Sequence, residues 1–225
     1  MDWPRPRHAV TMTLPTAEQD QQNARRRRAW DKQAKRYDKQ IGWWERRLFG
    51  QDNRAWACER AQGDVLEVAV GTGLNIPFYD AELKVTGVDL SPEMLDIARR
   101  RAVDLDHDVD LREGDAHNLA FDDASFDTVV CTFSLCNIPD PHQALTEMRR
   151  VLRPGGRLVL VDHVRSSVTP ILWLQKALEV VSVRIDGDHL TRRSADAVEQ
   201  LGYEIVERDR FRWGIVERLV ATKPT

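Results

Sequence analysis

The chain has 225 residues, 42% hydrophobic and 31% charged, which fits one soluble domain with a full core, or one domain with an appendage. A formal net charge of −3 argues against a general nucleic-acid binder, which carries a basic surplus. No apolar run approaches the roughly 20 residues that span a bilayer, and the N-terminus lacks the apolar segment of a signal peptide.

Residues 1–22 read as a flexible tail, because Pro4, Pro6 and Pro15 interrupt any helix. Residues 23–62 read as a helical lid. In "ARRRRAWDKQAKRYDKQIGWWERRLFG", Trp30, Ala34, Tyr37, Ile41, Trp44 and Leu48 recur at helical spacing, with Arg25 to Arg28, Lys32, Lys35, Arg36 and Lys39 between them. The spacing predicts one or two basic amphipathic helices broken near Gly42. Such a stripe packs on a core, closes over a site, or lies through 24–48 on an anionic membrane surface.

From Gly63 the pattern becomes strand, turn and helix, repeated. Strands are predicted at 64–69, 84–89, 108–114, 126–134 and 157–164. "SPEMLDIARRRAV" is a helix capped by Ser91, with Pro92 in its first turn. "DPHQALTEMRRVL" has Asp140 as cap, Pro141 at its first position and Gln143 at N3, and "RPGG" then turns the chain into the fifth strand. The last third adds helices in "PILWLQKALEVVSV" and "SADAVEQLG", the latter ended by Gly202, and a terminal antiparallel pair in "YEIVERDRF" and "IVERLVATK". The fold class is α/β: a doubly wound, Rossmann-like, seven-stranded sheet, mostly parallel with an antiparallel C-terminal strand and helices on both faces.

"VLEVAVGTGLN" (65–75) places Gly71 and Gly73 behind the first strand, but Ile76 stands where a dinucleotide fold wants a third glycine, and nothing near the turn is basic. A nucleoside without phosphates explains the other residues better. Asp89 ends the second strand and can accept both ribose hydroxyls. Asp115, in "GDA" (114–116), ends the third and can accept from an adenine amino group. All three features fall at the carboxyl edge of the sheet, where open α/β folds bind ligands.

"VLEVAVGTG", "VTGVDLSPEMLDIAR", "GDAHNLAFDDASFDTVV" and "EMRRVLRPGGRLVLVDH" resemble the successive motifs of class I S-adenosylmethionine-dependent methyltransferases. They are most similar to the branch holding ubiquinone/menaquinone C-methyltransferases and bacterial phosphatidylethanolamine N-methyltransferases. The resemblance is close over about 37–165, and it makes 63–225 the S-adenosyl-L-methionine domain, with an acceptor-region insertion around 165–195. It implies that Glu67, Ala69, Val70, Gly71, Thr72, Gly73 and Asn75 surround the methionine part of the cofactor. Asp89 takes the ribose, Leu90 and Met94 flank the adenine, and Gly114, Asp115 and Ala116 meet its edge. Thr132 and Ser134 face the methionine end, and Tyr37 closes over the cofactor. Family members often carry glycine where Ala69 stands. A slightly different turn is expected there, and a positive φ at Ala69 would count against the cofactor.

The implied reaction is in-line methyl transfer leaving S-adenosyl-L-homocysteine. The protein's task is to place the nucleophile and keep it deprotonated. Candidate catalytic groups are His163 at the end of the fifth strand, Tyr37, and His189 in "DGDHLTR". Cys58, Cys131 and Cys136 have no metal-ligand spacing, so no metal and a cytoplasmic setting are expected, with peripheral contact at the inner membrane face as an option. "TFSLCNIPDP" lacks the Asn/Asp-Pro-Pro-aromatic run of nucleic-acid amino methyltransferases. The acceptor is therefore a small molecule or lipid headgroup, first a phosphatidylethanolamine-type amine, alternatively a small thiol or another secondary metabolite. A non-catalytic sensor of the cofactor is the reading from another class, and a nicotinamide oxidoreductase a weaker rival. The expected assembly is a monomer or homodimer.

Overall fold

A computed structural model describes residues 17–185 and 188–225. Residues 1–16 of the expected tail, and Asp186 and Gly187 of the "DGDHLTR" stretch, lie outside the described residues.

The first helix, α1, runs Ala17–Trp44, so it begins inside the expected tail. It also passes through Gly42 unbroken. The interruption comes three residues later, where Glu45–Phe49 widens into a π-turn closed by Gly50 at φ +96°. A single glycine costs a helix only about 1 kcal/mol, too little to end one of this length. A short α2 (Asn53–Cys58) leads into β1 (Asp64–Val68), β2 (Lys84–Asp89), α3 (Pro92–Asp104), β3 (Val109–Glu113) and β4 (Phe126–Thr132). Then come α4 (Pro141–Val151), β5 (Leu152–His163), α5 (Thr169–Ile185), α6 (Ser194–Gln200), β6 (Glu204–Phe211) and β7 (Val216–Thr222).

The seven strands form one sheet in the order β3-β2-β1-β4-β5-β7-β6. Neighbours from β3 to β5 pair in parallel, and β7 runs antiparallel to both β5 and β6. The caps read from sequence are in place: Ser91 Oγ accepts from the Met94 amide at 3.2 Å, and an Asp140 carboxylate oxygen from the Gln143 amide at 3.0 Å. Gln143 does not complete a capping box, since its side-chain amide donates to the His117 carbonyl instead. The "RPGG" turn lies inside β5 rather than before it. Leu152 already pairs with Phe126, and the register resumes at Arg157 opposite Thr128. The skipped residues are held from the other side, where the Gly155 amide donates to the Lys223 carbonyl.

Alternation along the strands puts apolar side chains on both faces, as a doubly covered sheet requires. Leu66, Val129, Cys131, Leu158 and Leu160 pack with Leu145 and Met148 of α4 and Val198 of α6. Their neighbours Val65, Val130, Val159 and Val161 face the other way, toward Ala57 and Cys58 of α2. The crossovers are uneven. Only a three-residue 3₁₀ turn, Ile76–Phe78, follows β1 before β2, whereas α3 follows β2. The strand order reverses between β1 and β4, and this positions the site.

Candidate functional site

At that switch point the carboxyl ends of β1, β2 and β3 and the segment after β4 enclose a cavity, with α1 across its mouth. Tyr37, Ala69, Gly71, Asp89, Leu90, Met94, Gly114, Asp115, Ala116 and Ser134 line it, ten of the residues expected from sequence. Gly71 has φ +57°, and a Cβ built on it would meet nothing within 4 Å, so bare backbone faces open space. Glu67, Val70, Thr72, Gly73, Asn75 and Thr132 are not part of the lining. Buried or nearly so, they form the layer behind it.

Asn23, Arg26 and Trp30 also line the cavity, though none of them had been named as a cofactor residue. With Tyr37 they recur at intervals of three, four and seven, one stripe of α1, so helical spacing was the signal that could have found them. The stripe is held by polar contacts. Asn23 Nδ2 donates to Asp115 at 2.7 Å, Ser91 Oγ to Asp31 at 2.5 Å, and Thr72 Oγ1 to Asp38 at 2.6 Å. With α1 so placed the enclosed volume is about 100 Å³. Small-molecule sites usually measure about 300–1,000 Å³, so α1 leaves the cavity narrow.

Asp89 accepts one backbone N–H on each oxygen, from Gly71 at 2.8 Å and from Ser91 at 2.9 Å. Burial pushes its carboxyl up, and those amides pull the other way. Asp115 is also subject to burial, which would raise it, but His117 and Asn23 hold it below the usual carboxylate range. Burial pushes the Tyr37 phenol up to about 12, so it stays protonated at neutral pH.

Two non-glycine residues of the cavity wall sit in the left-handed region, Ala69 at φ +58° and Phe133 at φ +49°. The altered turn expected at Ala69 is therefore not adopted. The glycine-like shape is kept and the alanine takes the strain, about 1–2 kcal/mol for an L-residue there. The positive φ that was to count against the cofactor leaves Gly71 and Asp89 facing the cavity all the same. Ala69→Gly is expected to relieve that strain, less the backbone entropy of glycine. A net gain of about 0.5–1 kcal/mol should raise Tm by roughly 1–4 °C in a domain this size. A melting curve checks it.

Behind the cavity lies a buried polar network that sequence reasoning missed. Arg54 of α2 donates through Nε to Glu45 at 2.8 Å and through Nη1 to Asn75 Oδ1 at 3.0 Å and Thr132 Oγ1 at 3.3 Å. Asn75 Nδ2 and Tyr79 OH in turn donate to the two oxygens of Glu67, at 2.9 and 2.8 Å. Burial outweighs those donors and pushes the Glu67 carboxyl up to about 7. The folded protein thus holds a proton that the unfolded chain, near 4.5, releases. Stability from this group is present below pH 4.5 and is lost as pH rises through 7. Glu67→Gln should flatten that part of the stability–pH curve, which denaturant melts across the window will show.

His163 and His189 do not line the cavity. His163 stacks on Phe49 at 5.8 Å, and its Nε2 lies 3.2 Å from Asp188. Burial would lower its pKa, but Asp188 and Asp162 raise it. His189 is half exposed, 3.6 Å from Glu179. Cys136, His163 and Asp188 bring ligand-type atoms within 4.8 Å of one another, a grouping invisible in linear spacing. In the fold they form a joint: the His189 amide donates to the Cys136 carbonyl, and Arg192 to the carbonyls of Leu135 and Ile138. From Phe133 in the cavity wall, a row of rings leads through Phe49 at 5.4 Å to Trp44 at 6.4 Å, which is exposed.

Residues 66–160 match the family model described as a methyltransferase domain. A phosphatidylethanolamine N-methyltransferase of Cereibacter sphaeroides is 44% identical over 118 residues, covering 52% of this chain and 58% of that protein. A demethylmenaquinone methyltransferase of Paenarthrobacter aurescens (strain TC1) is 34% identical over 186 residues, covering 71% and 70%. A thiol S-methyltransferase of Homo sapiens is 32% identical over 174 residues, covering 74% and 70%. The first three curated relatives are matched over 58%, 42% and 52% of their own length, so the chain spans about half of each. Among solved structures, a Thermotoga maritima protein described as an S-adenosylmethionine-dependent methyltransferase superposes with a TM-score of 0.67 at 24% identity, covering 87% of this chain and 99% of that one.

Proposed function

Because this chain belongs to the class I S-adenosylmethionine-dependent methyltransferases, we propose that it methylates the amine of a phosphatidylethanolamine-type lipid. The observation that carries this reading is the row of rings from Phe133 to exposed Trp44, beside the basic face of α1. The exposed ring of Trp44, at the outer end of the row, can attract the ammonium group that an amine acceptor and its methylated products present. Exposed Lys32, Lys35 and Lys39 suit an anionic membrane surface, which would bring residues 24–48 to the lipid. The 44% identity to a protein named for that reaction agrees with it.

The chemistry of the cavity lining suits the cofactor. Asp89 has acceptor capacity beyond its two backbone donors, Leu90 and Met94 give apolar flanks, and bare Gly71 allows close approach. When bound, S-adenosylmethionine supplies a sulfonium methyl that is already electrophilic. In our reading Asp89 holds the ribose and Asp115 the adenine edge, while Ser134 borders the methionine end. An ammonium acceptor must lose a proton before it attacks. Tyr37, protonated at neutral pH, can orient the acceptor but cannot take that proton. His163, backed by Asp188, is the acceptor we assign for a nitrogen reaching past Phe49. His189, farther out, would act only through solvent.

Labelled cofactor incubated with phosphatidylethanolamine vesicles tests the proposal. Label in the lipid fraction, lost in Phe49→Ala, supports it. Lipid left unlabelled while an alkyl thiol is methylated favours the second reading, which the longer match to the human thiol enzyme supports. Cofactor binding with no product from any acceptor would leave a sensor.

A further inference from the structure

Helix α5 is built inside out. Its polar residues Gln175, Glu179 and Ser182, spaced on one face, turn toward the protein. Gln175 Nε2 donates to the carbonyls of Val164 and Leu190 at 3.0 Å each, and its Oε1 accepts the Ser166 amide at 2.7 Å. Glu179 accepts from Thr191 Oγ1 at 2.7 Å, and Ser182 Oγ donates to the Asp188 carbonyl at 2.8 Å. The solvent side presents Trp173, Leu174, Leu178 and Val181, each more than 50% exposed. The exposed charges of this helix among the described residues are Lys176 and Arg184, both basic. A surface helix normally buries its apolar stripe, and a contiguous exposed one marks a contact with a protein or a membrane.

At the start of the same helix lies a second cavity, of about 330 Å³, which shares no lining residue with the first. Arg165, Arg192, Arg193, Arg208 and Arg210 line it, together with Leu172 of α5. Two carboxylates serve these five guanidinium groups. Glu217 lies 2.7 Å from Arg208 and 3.6 Å from Arg210, and Asp196 lies 2.8 Å from Arg193. Arg192 is spent on the carbonyls of Leu135 and Ile138, Arg210 also donates to the carbonyls of Arg165 and Gly214, and Arg165 has no carboxylate partner among the described residues. Such a cavity calls for an anion, and planar guanidinium forks match phosphate oxygens in particular.

We propose that this is a binding site for an anionic phospholipid. Its phosphate sits among the cavity arginines, and its acyl chains lie against the Trp173–Val181 face. Charge complementarity selects this occupant: a second copy would bring five more arginines to the same place. The site is distinct from the methyl-transfer cavity and does not depend on the acceptor being a lipid.

Flotation of the full chain with phosphatidylcholine vesicles, with and without phosphatidylglycerol, tests it. Salt-sensitive binding to the anionic vesicles is expected. Arg165→Gln/Arg193→Gln should weaken it about thirtyfold, at about 1 kcal/mol per cation near an anionic surface. Leu174→Ser/Leu178→Ser should weaken it at least tenfold with an unchanged melting curve, since both positions are exposed. A parallel Lys32→Gln/Lys35→Gln variant isolates the part played by α1. Binding that survives both the arginine and the leucine variants overturns the proposal. Overturning results also include binding lost only with the α1 variant, and tight uptake of inorganic phosphate without vesicle binding. So does a dimer that the leucine variant dissociates while vesicle binding stays unchanged.

Discussion

Asp89→Ala is expected to weaken S-adenosylmethionine binding by about 1.5–3 kcal/mol, or roughly 10- to 150-fold, the scale of hydrogen bonds to a charged group. The carboxylate lies at the end of β2 in the cavity wall. Backbone donors from Gly71 and Ser91 orient it while leaving lone pairs for a ligand. The substitution also strands those two amides, so Tm will fall. Calorimetric titration well below the new Tm separates the two effects. An unchanged Kd would remove the ribose from Asp89.

Arg54→Ala should cost more, about 3–5 kcal/mol of stability, as when one partner of a buried ion pair is removed. Arg54 is buried, 2.7 Å from Glu45 and within hydrogen-bond reach of Asn75 and Thr132. Its loss leaves a partly buried carboxylate uncompensated and breaks the tie between the end of the lid helix, the turn after β1 and the end of β4. Tm should fall by roughly 6–20 °C. Arg54→Ala/Glu45→Gln should lose less than the sum of the two single variants, because removing both charges avoids the stranded one. Strict additivity in urea melts would show that the pair is not coupled.

Strands and caps were legible because they depend on near neighbours. Apolar runs marked β1, β2 and β4, and Ser-Pro and Asp-Pro marked the starts of α3 and α4. The cavity-lining residues were legible for a related reason: Asp89, Gly114 and Asp115 sit where strands end, and the fold brings parallel strand ends together. What stayed hidden depends on partners far along the chain. Arg54 lies in "NRAWAC", which resembles any short helix, and its partners are 9, 21 and 78 residues away. The irregularity at Pro154–Gly156 is set partly by the Lys223 end of β7, which no local pattern announces. Continuity of α1 through Gly42 follows from packing and latches along its length, which outweigh one weak residue.

The brevity of the turn after β1 has a consequence for selectivity. Adenosine triphosphate offers the same base and sugar as the methyl donor. A nucleotide fold secures its phosphates with the amides and dipole of a full helix start. Here three residues, Ile76–Phe78, stand in that place, so a positively charged ligand at the carboxyl edge of β1 escapes the repulsion a long helix would impose. Adenine nucleotides should therefore compete poorly for this crevice, without any side chain dedicated to turning them away.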